Sequence, residues 1–205
     1  MPPPSRIFLL SPAKAGGRRY SILTSDKANF ELALKFRAGS ATLAEIYSFI
    51  SGLYFRGKMA YAAAFSAAPQ QSSSVFVIVP GLGLLTPETI FSPEQLRATA
   101  QIDVDEDNPI HHDTLLAAAA SLDRVTSHQC SFVLLGSVAS AKYTTALLKV
   151  LGPRLLFPSE FVGRGDMSRG GIMLRSAASR QELKYIPVSG AQLRGPRPAR
   201  LNPQR

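Results

Sequence analysis

The sequence predicts an α/β domain: a mainly parallel sheet with helices on both faces, closing antiparallel strands and a basic C-terminal tail. Three observations carry this. Short apolar runs alternate with segments of helical spacing along the chain, the order that builds strand–helix–strand units. The runs are continuous instead of alternating, as in Val75-Phe76-Val77-Ile78-Val79, which is what strands covered on both faces require. Each run also ends at glycine or proline: Pro12, Pro80-Gly81, Gly136 and Pro158.

In chain order, Arg6–Ser11 reads as a buried first strand and Pro12–Arg19 as a basic, glycine-bearing turn. Phe30, Leu32, Ala33, Leu34 and Phe36 give Ala28–Phe36 helical spacing, ended by Gly39 and Ser40. Thr42–Leu53 is a second helix, with Leu43, Ile46, Tyr47, Phe49 and Ile50 on one side and a break at Gly52, and Phe55–Phe65 is a third. The polar patch Gln70–Ser74 leads into the strand Val75–Val79, which Pro80–Gly83 terminates. Ser92–Thr99 is a helix with Ser92 as N-cap and Pro93 at the first helical position. After the acidic segment Asp103–Asp107 and Pro109, His112–Val125 reads as an alanine-rich helix. Ser131–Leu135 is a strand, Ala139–Leu151 a helix stopped by Gly152-Pro153, and Leu155–Pro158 the next strand. Ile172–Arg175 and Leu183–Val188 read as a closing antiparallel pair. Residues 1–190 form one domain on this reading, and 191–205 a Pro/Arg-rich tail.

Lysine and arginine number 23 against 14 acidic residues, a net charge of +9. Such a balance favours anionic partners, nucleic acid first. The tail is its most basic part: Arg194, Arg197, Arg200 and Arg205 stand there with no acid. No apolar run approaches the length of a membrane span, so no membrane partner is expected. Met1–Arg6 lacks the charged start and apolar stretch of a signal peptide, and the lone Cys130, inside an apolar run, reads as a buried structural thiol. Together these point to the cytoplasm.

Several chemistries fail on spacing. His111, His112 and His128 do not stand at metal-ligand spacing with cysteine, so no metal is expected, and no cofactor motif is read. Asp103, Asp105 and Asp107 alternate as in a calcium loop but lack its glycine and terminal glutamate. No Gly-x-Ser-x-Gly elbow occurs.

In open α/β sheets ligands bind at the carboxyl ends of the strands. That rule gathers four segments: Ser11–Arg19, Pro80–Gly83, Gly136–Tyr143 and Pro158–Gly171. Lys14, Gly16, Gly17 and Arg18 have the composition of a phosphate cradle, although the Lys-Ser/Thr spacing of a Walker A loop is missing. Ser137 or Ser140 either caps the helix that follows, or the same helix N-terminus holds an anion with Lys142 nearby. Gly81 and Gly83 either shape a turn or leave room for a flat group such as a base. The segment Glu160–Gly171 is the richest. Gly163, Gly165, Arg164 and Arg169 suit close approach to a phosphate or carboxylate, and Glu160 and Asp166 are candidates for acid/base work. A second segment, Ser51–Tyr61, interleaves Tyr54 with Arg56 and Lys58; it reads as a base-stacking, phosphate-contacting surface or as a helix junction burying its aromatics.

The words Ser51–Lys58, Ala60–Ala62, Val77–Leu85, Leu134–Ser137, Lys142-Tyr143 and Phe161–Gly171 resemble a group of uncharacterised bacterial proteins. More distantly, the pairing of a Leu-Tyr-Phe-Arg helix with an apolar strand and a Gly-Leu-Leu turn, over Tyr47–Pro87, is similar to the peroxide-stress (YaaA-like) superfamily. That resemblance implies an α/β fold and an association with DNA; the helix-hairpin-helix element has no counterpart here.

The expectation is a protein that binds a nucleotide or nucleic-acid phosphate at the strand C-terminal rim, with hydrolase or transferase chemistry, for instance at an N-glycosidic bond. Two alternatives stand beside it: a non-enzymatic DNA- or RNA-binding module using Tyr54, Arg56, Lys58, Arg194, Arg197 and Arg200, and a subunit of a protein assembly.

Overall fold

The computed structural model describes residues 5–67, 73–199 and 201. It is an α/β fold around one six-stranded sheet. The first strand, β1 (Arg6–Leu10), lies in the middle, paired in parallel with β2 (Val75–Val79) on one side and β4 (Ser131–Leu135) on the other. Beyond β4 comes β5 (Leu155–Pro158), also parallel. The edges are antiparallel: β3 (Gly83–Leu85) on β2 and β6 (Tyr185–Pro187) on β5. The order is thus β3-β2-β1-β4-β5-β6.

Strand side chains alternate faces, and both faces of β1 are dry. Phe8 and Leu10 enter one core, Ile7 and Leu9 the other, all fully buried. This is why the run reads as continuously apolar. The first core is covered by α1 (Gly17–Leu23), α2 (Glu31–Arg37), α3 (Leu43–Ser51), α4 (Leu53–Phe65), α5 (Pro93–Ala100) and α8 (Asp166–Ser179). The second is covered by α6 (Pro109–Arg124) and α7 (Ala141–Leu151).

Local chemistry sets the helix starts. Thr42 and Glu45 form a reciprocal capping box at α3, as do Ser92 and Gln95 at α5, where Pro93 is pre-set for the first turn. Gly52 separates α3 from α4. Asn108 caps α6, so Pro109 opens that helix and does not merely precede it.

The expected strand Ile172–Arg175 is helical: it lies inside α8. Arg169, Met173 and Ser176, buried at i, i+4 and i+7, give the segment the period of a helix lying on the core. The glycine-rich stretch is therefore divided. A 3₁₀ turn at Ser159–Phe161 and the turn through Gly165 precede the helix, and Arg169, Gly170 and Gly171 belong to it. The basic turn after β1 is likewise shorter than expected, because α1 begins at Gly17. The edge strand β3, three residues long, carries too little pattern to be read from sequence.

Among the described residues no helix is long and apolar enough to cross a membrane. Cys130 is fully buried, and burial raises its thiol pKa.

Candidate functional site

From β1 the chain crosses to β2 over one face of the sheet; from β4 it crosses to β5 through α7 over the other face. The loops after β1 and β4 therefore diverge, and a crevice opens at their carboxyl ends. A cavity of about 630 Å³ lies there. Its walls come from Ser11–Gly16 after β1, Pro80 after β2, Ser137 and Lys142 around the start of α7, and Asp166 at the start of α8. All four strand-end segments thus contribute. Tyr47, Ile50 and Tyr54 add an aromatic and apolar side.

Beneath the cavity is a polar pair. Lys58, on α4, is 0% exposed, and its Nζ donates to the Ser11 carbonyl oxygen at 2.9 Å and to Ser11 Oγ at 2.7 Å. The Tyr54 ring lies 3.9 Å from the same Nζ. No ion pair among the described residues includes Lys58. Burial disfavours the ammonium and pulls its pKa down to about 7, with the Asp166 carboxylate opposing and Arg169 and Lys142 reinforcing the shift. Ser11, at the end of β1, is 4% exposed and faces the cavity.

Tyr54 is 7% exposed and its hydroxyl makes no hydrogen bond. Burial pushes its pKa up to about 12, while Arg169 and Ser11 lie near enough to pull the other way. At the start of α7, Ser140 occupies the N-cap without a side-chain hydrogen bond. The first-turn N–H groups of that helix have no intrahelical acceptor. Ser137 Oγ instead accepts from Ala139 N at 3.4 Å.

The expected site residues divide. Lys14, Gly16, Ser137, Lys142 and Asp166 share the cavity wall. Gly17 and Arg18 open α1, both exposed and away from that wall. Gly81 and Gly83 do not leave room for a base: a Cβ at Gly81 would stand 2.3 Å from Ile102 Cδ1, and one at Gly83 would stand 2.7 Å from Ala118 Cβ. They admit Ile102 and α6. Glu160 is bound at the sheet edge, accepting from Lys184 N at 3.2 Å and Ser159 Oγ at 3.1 Å.

The arginine-rich loop is also occupied. Arg164 Nε donates to the Glu160 carbonyl and its Nη1 to Ser168 Oγ and the Ala199 carbonyl. Arg169 is buried, donating from Nε and Nη2 to the Phe161 carbonyl, with Nη1 3.5 Å from Asp166 Oδ1. Gly163 lies against the tail, where a Cβ would come within 2.1 Å of the Pro196 carbonyl oxygen. Gly165 and Arg164 line a separate cavity of about 360 Å³ with Arg197 and Leu201.

The proposed stacking surface is not one: Tyr54 and Lys58 point inward, leaving Arg56 exposed. Arg194 and Arg197 are exposed, Arg194 Nε donating to the Ala139 carbonyl at 3.0 Å; Arg200 lies outside the described residues. Sequence reasoning missed the Ser11–Lys58 pair. Its signal was present, since Tyr54, Phe55, Lys58, Tyr61 and Ala62 fall on the single buried stripe of α4. No protein-family model, curated protein or solved structure matches the chain.

Proposed function

We propose that the cavity between the ends of β1 and β4 binds a nucleotide or a related small phosphate-bearing molecule. The observation that carries this is the meeting of Lys14, Ser137, Lys142 and the uncapped first turn of α7 on one cavity with an aromatic wall of Tyr47 and Tyr54. Cations and free helix N–H groups suit a phosphate, and flat apolar side chains suit a ring system. A volume of about 630 Å³ suits a small ligand. Asp103 and Asp166 bring carboxylates to the same wall, in support of hydrolytic or transferase chemistry.

The nucleic-acid alternative rests on less, because burial removes Tyr54 and Lys58 from its contact surface. Calorimetric titration with mononucleotides and with DNA and RNA oligomers, at several salt concentrations, tests both. The cavity reading expects mononucleotide binding with a shallow salt slope, weakened about tenfold or more when Lys14 and Lys142 are both alanine. Absence of mononucleotide binding, or an unchanged affinity in the double variant, sinks it. Polymer binding with a steep salt slope would establish the alternative.

A further inference from the structure

We propose that Ser11 is a nucleophile and Lys58 its general base, making the cavity floor a site of acyl transfer from an ester or amide carbonyl. The ligand reading above concerns the lysines at the rim; the present inference concerns the floor and can fail separately.

The geometry comes first. Ser11 lines the cavity, and Lys58 Nζ lies 2.7 Å from its Oγ, the distance at which a base takes a hydroxyl proton. The second contact, 2.9 Å to the Ser11 carbonyl oxygen, orients the amine. When Lys58 is neutral, one N–H donates to that carbonyl and the nitrogen lone pair accepts the Ser11 hydroxyl proton. The side of Ser11 is braced by Gly136, where a Cβ would meet Ser11 Cβ at 2.9 Å. The hydroxyl is thus held between the ends of β1 and β4.

A structural role accounts poorly for this lysine. It lies among Tyr54 and Phe55 with no ion-paired carboxylate among the described residues, where a permanent charge is costly and an apolar side chain would pack without that cost. Release of the proton relieves the cost and creates the base. Lys142 and the first turn of α7, on the same cavity, supply a positive field for an oxyanion.

The step balances. Ser11 Oγ bonds to the carbonyl carbon while its proton passes to Lys58 Nζ and the carbonyl π pair moves onto oxygen. As the tetrahedral species collapses, the C–O or C–N bond to the leaving group breaks, and that group takes the proton from Nζ. Water then attacks the acyl-serine, giving its proton to Nζ. The carboxylic acid departs, and the proton returns to Ser11 Oγ.

The test is covalent labelling of the full chain with a fluorophosphonate and with a small sulfonyl fluoride, mapped by peptide mass spectrometry. We expect one adduct, on Ser11, absent in Ser11→Ala and slowed about 100-fold in Lys58→Met. In the wild type the rate should rise roughly tenfold from pH 6 to pH 8, as an amine with a pKa of about 7 loses its proton. The charged and titratable groups that bear on Lys58 are Asp166 and Arg169 from α8, Lys142 from α7 and Tyr54 beside it on α4. Circular dichroism establishes that each variant is folded; should Lys58→Met not fold, the wild-type pH profile decides. No adduct from either reagent, an adduct elsewhere, or a Ser11 rate indifferent to pH or to Lys58 overturns the proposal.

Discussion

Gly57 and Gly170 meet face to face where α4 crosses α8: a Cβ on Gly57 would stand 2.7 Å from the Gly170 carbonyl oxygen, and one on Gly170 would stand 2.9 Å from Tyr54 Cα. The two backbones therefore touch without intervening side chains. This contact brings the Tyr54–Lys58 turn beside Asp166 and Arg169, the groups that bias the Lys58 proton.

Alanine at either glycine has to force two helices apart. Overpacking of this kind costs up to about 3 kcal/mol, against roughly 1 kcal/mol that alanine gains over glycine in a helix. Gly57→Ala and Gly170→Ala are each expected to lose about 2 kcal/mol in urea denaturation. Gly171→Ala is the control. Its Cβ would meet Leu201 Cδ1 at an ordinary 3.4 Å, so stability should hold or rise. Equal behaviour of Gly170→Ala and Gly171→Ala would contradict the crossing.

The folded pKa of Lys58, about 7, lies below its ordinary value of 10.5. Below pH 7 both folded and unfolded chains hold the proton, and the burial penalty is fully present. Between about 7 and 10.5 the unfolded chain holds a proton that the folded chain has released, so raising the pH favours folding. Wild-type stability should climb through this window by up to about 1.4 kcal/mol per pH unit relative to Lys58→Met. Parallel pH profiles for the two proteins would refute the assignment.

Tyr54 carries a buried hydroxyl without a hydrogen bond. Removing such a group is neutral or stabilising by about 1 kcal/mol. Tyr54→Phe should therefore keep or raise the denaturation midpoint. A clear loss of stability would mean that the hydroxyl serves the fold.

The tail segment from Arg194 to Ala199 is tied down at three places: Arg194 to Ala139, Pro196 against Gly163, and Ala199 to Arg164. Removal of residues 194–205 should destabilise by about 1 kcal/mol and leave mononucleotide affinity unchanged, since none of its described residues lines the larger cavity. A mononucleotide affinity that falls with the tail would move the binding site to the smaller cavity.

The sheet was legible because its inner strands are uniformly apolar, and the caps at Ser92 and Pro93 announce α5. The rim was legible too, because a parallel sheet gathers strand ends wherever they fall in sequence. Two kinds of information were hidden. Gly165–Gly171 looks like a loop by composition; Gly170 is there because another helix passes over it, and that partner lies far away in the chain. Charged residues mislead in the same way. Arg164 and Arg169 have the chemistry of ligand contacts, and their donors are spent on carbonyls of their own chain. Lys58 looked like a surface cation because lysine is rarely buried.

The position of β1 also bears on synthesis. Leu9 pairs with Phe76 on one side and with Leu134 on the other, so the strand made before its neighbours is the one that ends at the centre. As the chain leaves the ribosome, Ile7–Leu10 must remain without a partner until β2 emerges, and half-covered until β4 does. Such delayed long-range pairing folds slowly. Ser11, at the end of that strand, meets Gly136 of the β4 end only after β4 has been made.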